Sequence, residues 1–217
     1  MITTVHREDV QVGTLALPGE LCVPDDASGL VLFAHGSGSS RLSQRNRQVA
    51  ELLHCHGLAT LLFDLLTEAE ADDRRNVFDI DLLGGRVGQA LVWAEARGDL
   101  AGMPAGVFGA STGAAAALLA AARWPSRVAA VVSRGGRPDL AAQWLARVAA
   151  PALLIVGGAD IEVLELNRRA MRLLQGVKRL EIVPGASHLF EEPGALQSVA
   201  ALAAGWFEVH LSRKRHG

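Results

Sequence analysis

The chain has 217 residues, of which 50% are hydrophobic and 20% are charged, so a single globular domain spanning 1–217 is expected and extensive disorder is excluded. Its 21 basic and 23 acidic residues leave a formal net charge of -2, which argues against a nucleic-acid or membrane partner and favours a small molecule. Cys22 and Cys55 are too few for a disulfide framework, so both are expected to be reduced thiols.

Neither end of the chain carries an obvious targeting segment. Met1 to Val10 alternates polar and charged residues and does not resemble a secretory signal, which predicts a cytoplasmic protein. The closing Arg213, Lys214 and Arg215 are interpreted as a solvated tail.

Alternating apolar and helical segments predict an α/β fold with a mostly parallel sheet and helices on both faces. An antiparallel hairpin is expected first, from strands near 10–17 and 20–23 joined by a turn at Pro18-Gly19. The remaining strands are predicted at 29–34, 59–63, 105–109, 128–133, 152–156 and 179–183. Little or no cap domain is expected, because only a short segment separates the strands at 128–133 and 152–156.

Small residues follow the first parallel strand, in the segment His35-Gly36-Ser37-Gly38-Ser39-Ser40. Their backbone N–H groups could stabilise an oxyanion, and Ser37 is the candidate donor, whereas His35 is interpreted as structural. A phosphate cradle is disfavoured because neither GK[ST] nor a complete G-x-G-x-x-G is present. After the next strand, the acidic residues of segment 68–73 are interpreted as a solvated turn, and no metal site is predicted.

Gly109-Ala110-Ser111-Thr112-Gly113 lies between an apolar strand and an alanine-rich helix, which is the context that a G-x-S-x-G nucleophile requires. Ser111 is therefore the candidate nucleophile, and the Thr112 N–H is the second candidate oxyanion donor. The alternative is a glycine-rich turn in which Ser111 caps the helix.

A serine nucleophile needs a base and a group that orients the base. Asp160 and His188 each follow a predicted strand and turn, so the chain order Ser, Asp, His is that of α/β-hydrolases. Asp160 could instead cap the helix near Glu162, His188 could be a buried structural histidine, and Asp139 is the rival for the acid.

Three arginines, Arg41, Arg134 and Arg137, fall in loops expected near the carboxyl edge of the sheet. Any of them could bind a carboxylate or phosphate of the substrate, although solvated surface arginines are the commoner case. The last helix is predicted from an apolar stripe that covers the sheet and ends at Trp206, Phe207 and His210.

The glycine-rich loop at 35–40, the elbow at 109–113 and the segments 157–160 and 185–190 together resemble the dienelactone hydrolase-like branch of α/β-hydrolases. That branch includes small hydrolase domains joined to phosphoribosyltransferases. Its namesake enzymes use a cysteine nucleophile, whereas Ser111 stands at the matching place here. The resemblance implies hydrolysis but does not identify a substrate. The small cap instead favours a small ester, lactone or related acyl bond, and no cofactor is expected.

Other functions share these residues. A thioesterase or an acyltransferase could use the same three side chains, and a hydrolase-shaped binding module could have lost turnover. Oligomeric state is not readable from the sequence.

Overall fold

The computed structural model describes residues 4–211 of the chain. The tail residues Arg213, Lys214 and Arg215 and the first three residues lie outside this range.

Eight strands form one sheet. Their bounds are β1 Val5–Val12, β2 Leu17–Pro24, β3 Gly29–Ala34, β4 Leu58–Phe63, β5 Ala105–Ala110, β6 Ala130–Arg134, β7 Ala152–Gly157 and β8 Lys178–Val183. The six predicted parallel strands are confirmed to within two residues at each end.

The order across the sheet is β1-β2-β4-β3-β5-β6-β7-β8. β1 and β2 pair antiparallel, β2 pairs antiparallel with β4, and the other pairs are parallel. The predicted fold class, a mostly parallel sheet that begins with an antiparallel hairpin, is confirmed.

Helices cover both faces of the sheet. Their bounds are α1 Gln44–Cys55, α2 Glu68–Ala71, α3 Arg74–Val77, α4 Ile80–Glu95, α5 Thr112–Arg123, α6 Ala142–Leu145, α7 Ile161–Leu173 and α8 Ala195–Leu211, with a 3₁₀ turn at Pro138–Ala141. One apolar core contains side chains of α4 and α5, and the other contains side chains of α1 and α8. The central strands are therefore buried on both sides, which explains why they are uninterrupted apolar runs.

The hairpin forms, but the predicted turn at Pro18-Gly19 is wrong. Val12 pairs with Leu17, so the turn consists of residues 13–16, closed by the Ala16 N–H donating to the Gly13 carbonyl. Pro18 lies inside β2, where its missing N–H is tolerated and its carbonyl accepts from the Asp64 N–H.

The acidic segment after β4 is solvent-exposed at Glu68 and Asp72, as expected, but it contains the helix α2 and is not a simple turn. Thr67 and Glu70 form a capping box that starts α2. Glu70 also accepts a hydrogen bond from Arg86 at 2.7 Å, and Arg86 is buried in α4. The segment is thus a folded part of the carboxyl edge of the sheet.

Between β6 and β7 the chain forms only the 3₁₀ turn and α6, which agrees with the expectation of little or no cap domain.

The last helix buries most of its predicted stripe, including Val199, Ala203 and Phe207. Trp206 and His210 border the core and pack against each other in a tilted arrangement, with 4.5 Å between ring centroids. Across residues 4–211 no helix is both long and apolar enough to cross a membrane. Cys22 and Cys55 are both free thiols.

His54 is a buried imidazole on the face of α1 that packs on the sheet. Its Nε2 lies 2.8 Å from the Thr60 hydroxyl, and the residue is 6% exposed. Burial and the nearby Arg7 charge lower the pKa of His54 from 6.5 to about 4. The folded protein therefore holds His54 neutral at pH values where the unfolded chain would protonate it.

This burial predicts a loss of stability in mild acid. Because the unfolded chain binds the extra proton, the free energy of unfolding should fall as the pH drops from 6.5 toward 4. Protonation of His54 in the unfolded chain should lower the free energy of unfolding by about 2 kcal/mol at pH 5, compared with pH 7. Urea unfolding at pH 7 and pH 5 measures it, with His54→Gln compared with the parent.

The control is His56→Gln, at an exposed histidine that contacts Glu208. The His54 variant should lose less stability over this interval than either the parent or the His56 variant. An equal pH dependence in the parent and the His54 variant would contradict the assignment.

Candidate active site

Ser111 lies at the sharp turn between β5 and α5. Its backbone has φ 52° and ψ -119°, a conformation that costs a residue with a side chain about 1–3 kcal/mol. The side chain makes no capping hydrogen bond to the helix it precedes. The alternative interpretation of Ser111 as a helix cap is therefore wrong, and its hydroxyl is left for another use.

Gly109 and Gly113 allow this turn because neighbouring backbone passes so close to each that a side chain would not fit. A Cβ on Gly109 would lie 2.4 Å from the Ala114 Cα, and a Cβ on Gly113 would lie 2.1 Å from the Ala34 carbonyl oxygen. The first turn of α5 thus rests directly on the end of β3. The G-x-S-x-G spacing is required by packing as well as by the turn.

His188 and Asp160 meet at the carboxyl ends of β7 and β8. The His188 Nδ1 lies 2.6 Å from Asp160 Oδ2, and the side chains are 38% and 14% exposed, respectively. The Ala159 N–H donates to the Ala186 carbonyl, which ties the two loops together. His188 is therefore neither isolated nor fully buried.

The two candidate acids, Asp160 and Asp139, are distinguished by their hydrogen-bond partners. Asp160 precedes α7 but makes no side-chain capping hydrogen bond, and its carboxylate contacts His188. Asp139 accepts two hydrogen bonds from Arg137 at 2.9 and 2.7 Å. The structure brings Asp160, and not Asp139, to the imidazole.

The end of β6 lies between Ser111 and His188. The Ser111 N–H donates to the Arg134 carbonyl at 3.1 Å. A Cβ on the next residue, Gly135, would lie 3.5 Å from His188 Cε1. Among the described residues no hydrogen bond joins the Ser111 hydroxyl to the imidazole, and such bonds are often long before substrate binds.

The two candidate oxyanion donors differ in their partners. The Thr112 N–H, at the start of α5, makes no hydrogen bond within the described part of the chain. The Ser37 N–H instead donates to the Thr112 hydroxyl at 2.8 Å. An oxyanion could use the Thr112 amide directly, whereas use of the Ser37 amide requires the Thr112 hydroxyl to move.

His35 holds the loop that carries Ser37. The Leu65 N–H donates to His35 Nε2 at 3.1 Å, and His35 Nδ1 lies 3.1 Å from the Gly36 carbonyl oxygen. Burial lowers the pKa of His35, which favours the neutral ring. The ring links the ends of β3 and β4 in the way expected of a structural residue.

A cleft of about 350 Å³ opens beside Ser37 and Thr112. It is bordered by the loop at 35–42, the segment 64–68 and side chains of α2, α3 and α4, with apolar lining residues Leu42, Leu65, Leu66, Val77 and Leu83. The short helices that replace the expected acidic turn therefore form one wall of the cleft.

The three arginines suggested by sequence have different partners. Arg41 lines the cleft, where its backbone N–H and its guanidinium bond Asp64 at 2.7 and 2.9 Å. Arg137 is paired with Asp139. Arg134 is 8% exposed and makes no ion pair with any described carboxylate.

Sequence reasoning missed Asp64, which holds Arg41 through two hydrogen bonds, and Arg45, which lines a second cavity that shares Ser39 with the cleft. The basic cluster Arg41, Arg45 and Arg47 directly after the small-residue loop was a usable signal for Arg45. No sequence signal gave the bond between Ser37 and Thr112, since it joins loops that are distant along the chain.

This sheet order, with a serine elbow after β5 and a histidine and acid after later strands, defines the α/β-hydrolase class. A dienelactone hydrolase from Anabaena variabilis is 54% identical, with a TM-score of 0.91, and the match covers 96% of this chain and 99% of that one. The chain therefore belongs to the dienelactone hydrolase-like family of α/β-hydrolases. Est1E from Butyrivibrio proteoclasticus shares the fold at 15% identity, with a TM-score of 0.79 over 94% and 98% of the chains.

Two proteins from different strains of Mycobacterium tuberculosis, each named "Putative phosphoribosyl transferase", are 58% identical over 209 residues. The match covers 95% of this chain and 47% of theirs, so the chain spans about half the length of these relatives. No family model matches the chain.

The contact between α5 and β3 predicts that Gly113→Ala is strongly destabilising. The new Cβ would overlap backbone oxygen, so the elbow must shift, at a cost of about 2 kcal/mol or more. Urea unfolding at pH 7 measures the effect.

The matched control is Gly205→Ala within α8, where a Cβ meets nothing within 4 Å. That variant should be stabilised by up to about 1 kcal/mol, since alanine favours a helix interior. Equal stability of the two variants would contradict the packing argument.

Proposed function

We propose that this chain is a serine hydrolase that cleaves a small carboxylic ester or lactone. The Ser111 hydroxyl attacks the acyl carbon as His188 takes its proton, and the tetrahedral intermediate expels the leaving group, which receives that proton. Water then attacks the acyl group on Ser111, again with His188 as base, and releases the acid. Asp160 holds the imidazole and stabilises its charged form.

The observation that carries this proposal is the pairing of His188 with Asp160 at 2.6 Å beside a serine in a strained turn. A helix cap would need neither the strain nor a free hydroxyl. The positive end of α5 and the open Thr112 amide are suited to the negative charge that develops on the acyl oxygen. The Ser37 amide becomes the second donor once the Thr112 hydroxyl moves aside.

The cleft supports a small substrate. Its apolar lining beside Ser37 and Thr112 fits a short acyl or alcohol group, and no large insertion between β6 and β7 covers the site. A thioester or an acyl acceptor other than water would use the same three residues. A binding module without turnover is disfavoured because it would not need the strained serine or the histidine and acid pair.

The relatives named for phosphoribosyl transfer are about twice as long as their match to this chain. We assign the hydrolytic site to the part of these relatives that matches this chain. Ser111, Asp160 and His188 all lie in this part.

The first prediction from this mechanism is covalent labelling. A fluorophosphonate should modify the folded parent at Ser111, because an activated serine attacks phosphorus as it attacks an acyl carbon. Ser111→Ala should give no adduct in the same assay, read by intact-protein mass spectrometry. An unlabelled, folded parent would instead support the binding module.

The second prediction separates the two acids. Asp160→Asn should lower kcat for a chromogenic acetate ester by about 10³ to 10⁴-fold, since the imidazole loses its orienting anion. Asp139→Asn should stay within about threefold of the parent, because its partner is Arg137. Steady-state kinetics on both variants, checked for folding by circular dichroism, tests the assignment, and the reverse order of effects would overturn it.

A further inference from the structure

Strand β8 has one unpaired edge. It is the last strand of the sheet and pairs only with β7. The carbonyls of Val177, directly before β8, and of Val183 accept N–H groups from the two ends of β7. Because backbone groups alternate between the two sides of a strand, those of Lys178, Leu180 and Ile182 point away from the sheet. Within residues 4–211 no other segment forms a backbone hydrogen bond with these three residues.

The lysine on this edge does not guard it. Exposed strand edges invite pairing with another chain, and proteins often prevent this with a lysine that projects from the edge. Lys178 Nζ instead donates to the Leu174 carbonyl at the end of α7, so the side chain folds back onto its own chain. At the other end of the strand, Ile182 is 41% exposed. The edge is therefore open to a further strand.

Two opposite charges flank the centre of β8, because Arg179 and Glu181 lie on either side of Leu180. Both side chains border the face that α8 covers, and they form an ion pair with each other. In an antiparallel pair of identical strands, a residue before the two-fold axis lies opposite a residue after it. Each charge of β8 can therefore meet the opposite charge of a second copy.

Charge and backbone direction select one register for such a pair. Outward-facing residues must meet outward-facing residues, so the axis passes through a residue and not between two. An axis at Arg179 or at Glu181 would place like charges opposite each other, which is destabilising. An axis at Leu180 places Arg179 opposite the partner's Glu181, at positions where side chains approach most closely. It also pairs Lys178 with the partner's Ile182, so all three outward-facing residues are used.

An apolar groove borders this edge on the Arg179 side of the sheet. It has a volume of about 450 Å³ and lies between β8 and α8. Its α8 wall includes Trp206 and Val209, of which Val209 is 71% exposed, and α8 has no charged residue before Glu208. Pairing of two β8 edges brings two such grooves side by side, and the aliphatic stem of the partner's Arg179 then lies beside this apolar surface.

We propose that two copies of this chain associate through antiparallel pairing of their β8 strands, centred on Leu180. The interface is independent of the proposed function. No residue that lines the apolar cleft beside Thr112 belongs to β8 or α8, so both clefts stay open. Because each strand offers only three outward-facing residues, the interface is small, and its dissociation constant should be on the order of 10 µM.

Sedimentation velocity of charge variants tests the interface and its register. Arg179→Glu and Glu181→Arg each place like charges opposite each other, so each alone should weaken dimerisation about tenfold or more. An equal mixture of the two variants again has opposite charges at both positions and should associate about as tightly as the parent. The control is Glu165→Arg, which makes the same charge change in an exposed pair with Arg169 on α7 and should keep the parent's dissociation constant.

Three results would overturn the proposal. The first is a parent that is still monomeric at about 100 µM. The second is a dimer that both charge variants leave intact, since its interface would lie elsewhere. The third is a mixture that associates no more tightly than the separate variants. Recovery in the mixture also excludes misfolding as the reason why each variant alone associates weakly.

Amide exchange of the parent measures the strand pairing directly. When the concentration is raised until dimers dominate, exchange at the Leu180 and Ile182 N–H groups should slow about threefold or more, because these groups gain a partner. The Arg179 and Glu181 N–H groups already face β7 and should change less. A dimer in which Leu180 and Ile182 gain no protection would overturn the pairing.

Discussion

The contact between the first turn of α5 and the end of β3 is the constraint on which the site depends. Gly113 rests against the Ala34 carbonyl, and in the turn that makes this contact Ser111 has a strained backbone conformation, with φ 52°. The strain is sustained because α5 is buried along nearly its whole length between the sheet and α4. The alanine-rich helix α5 therefore helps to position Ser111, since larger side chains would lift it from the sheet.

The remaining groups lie at the same edge of the sheet as Ser111 because parallel strands end there. The β7 and β8 loops bring Asp160 to His188, and the β3 loop brings Ser37 to Thr112. The sheet then divides the surroundings of Ser111. One side holds the apolar cleft, and the other holds the buried Arg134.

Much of this arrangement was predictable because strand periodicity and local motifs are encoded in neighbouring residues. The parallel strands and the Ser111, Asp160 and His188 positions follow from such patterns. The hairpin turn was misplaced because Pro18-Gly19 is a strong local turn signal that strand pairing overrides. The Ser37 to Thr112 bond and the unpaired state of Arg134 depend on tertiary contacts, which no local pattern reports.

The most direct test of the account is to trap the acyl intermediate. Rapid acid quenching during turnover of a chromogenic ester, followed by peptide mass spectrometry, should find one acyl group on the peptide containing Ser111, formed with a burst of one chromophore per active site. His188→Ala should abolish the burst. Turnover by the parent without any acyl adduct, or an adduct on another residue, would contradict the assignment of Ser111 as the nucleophile.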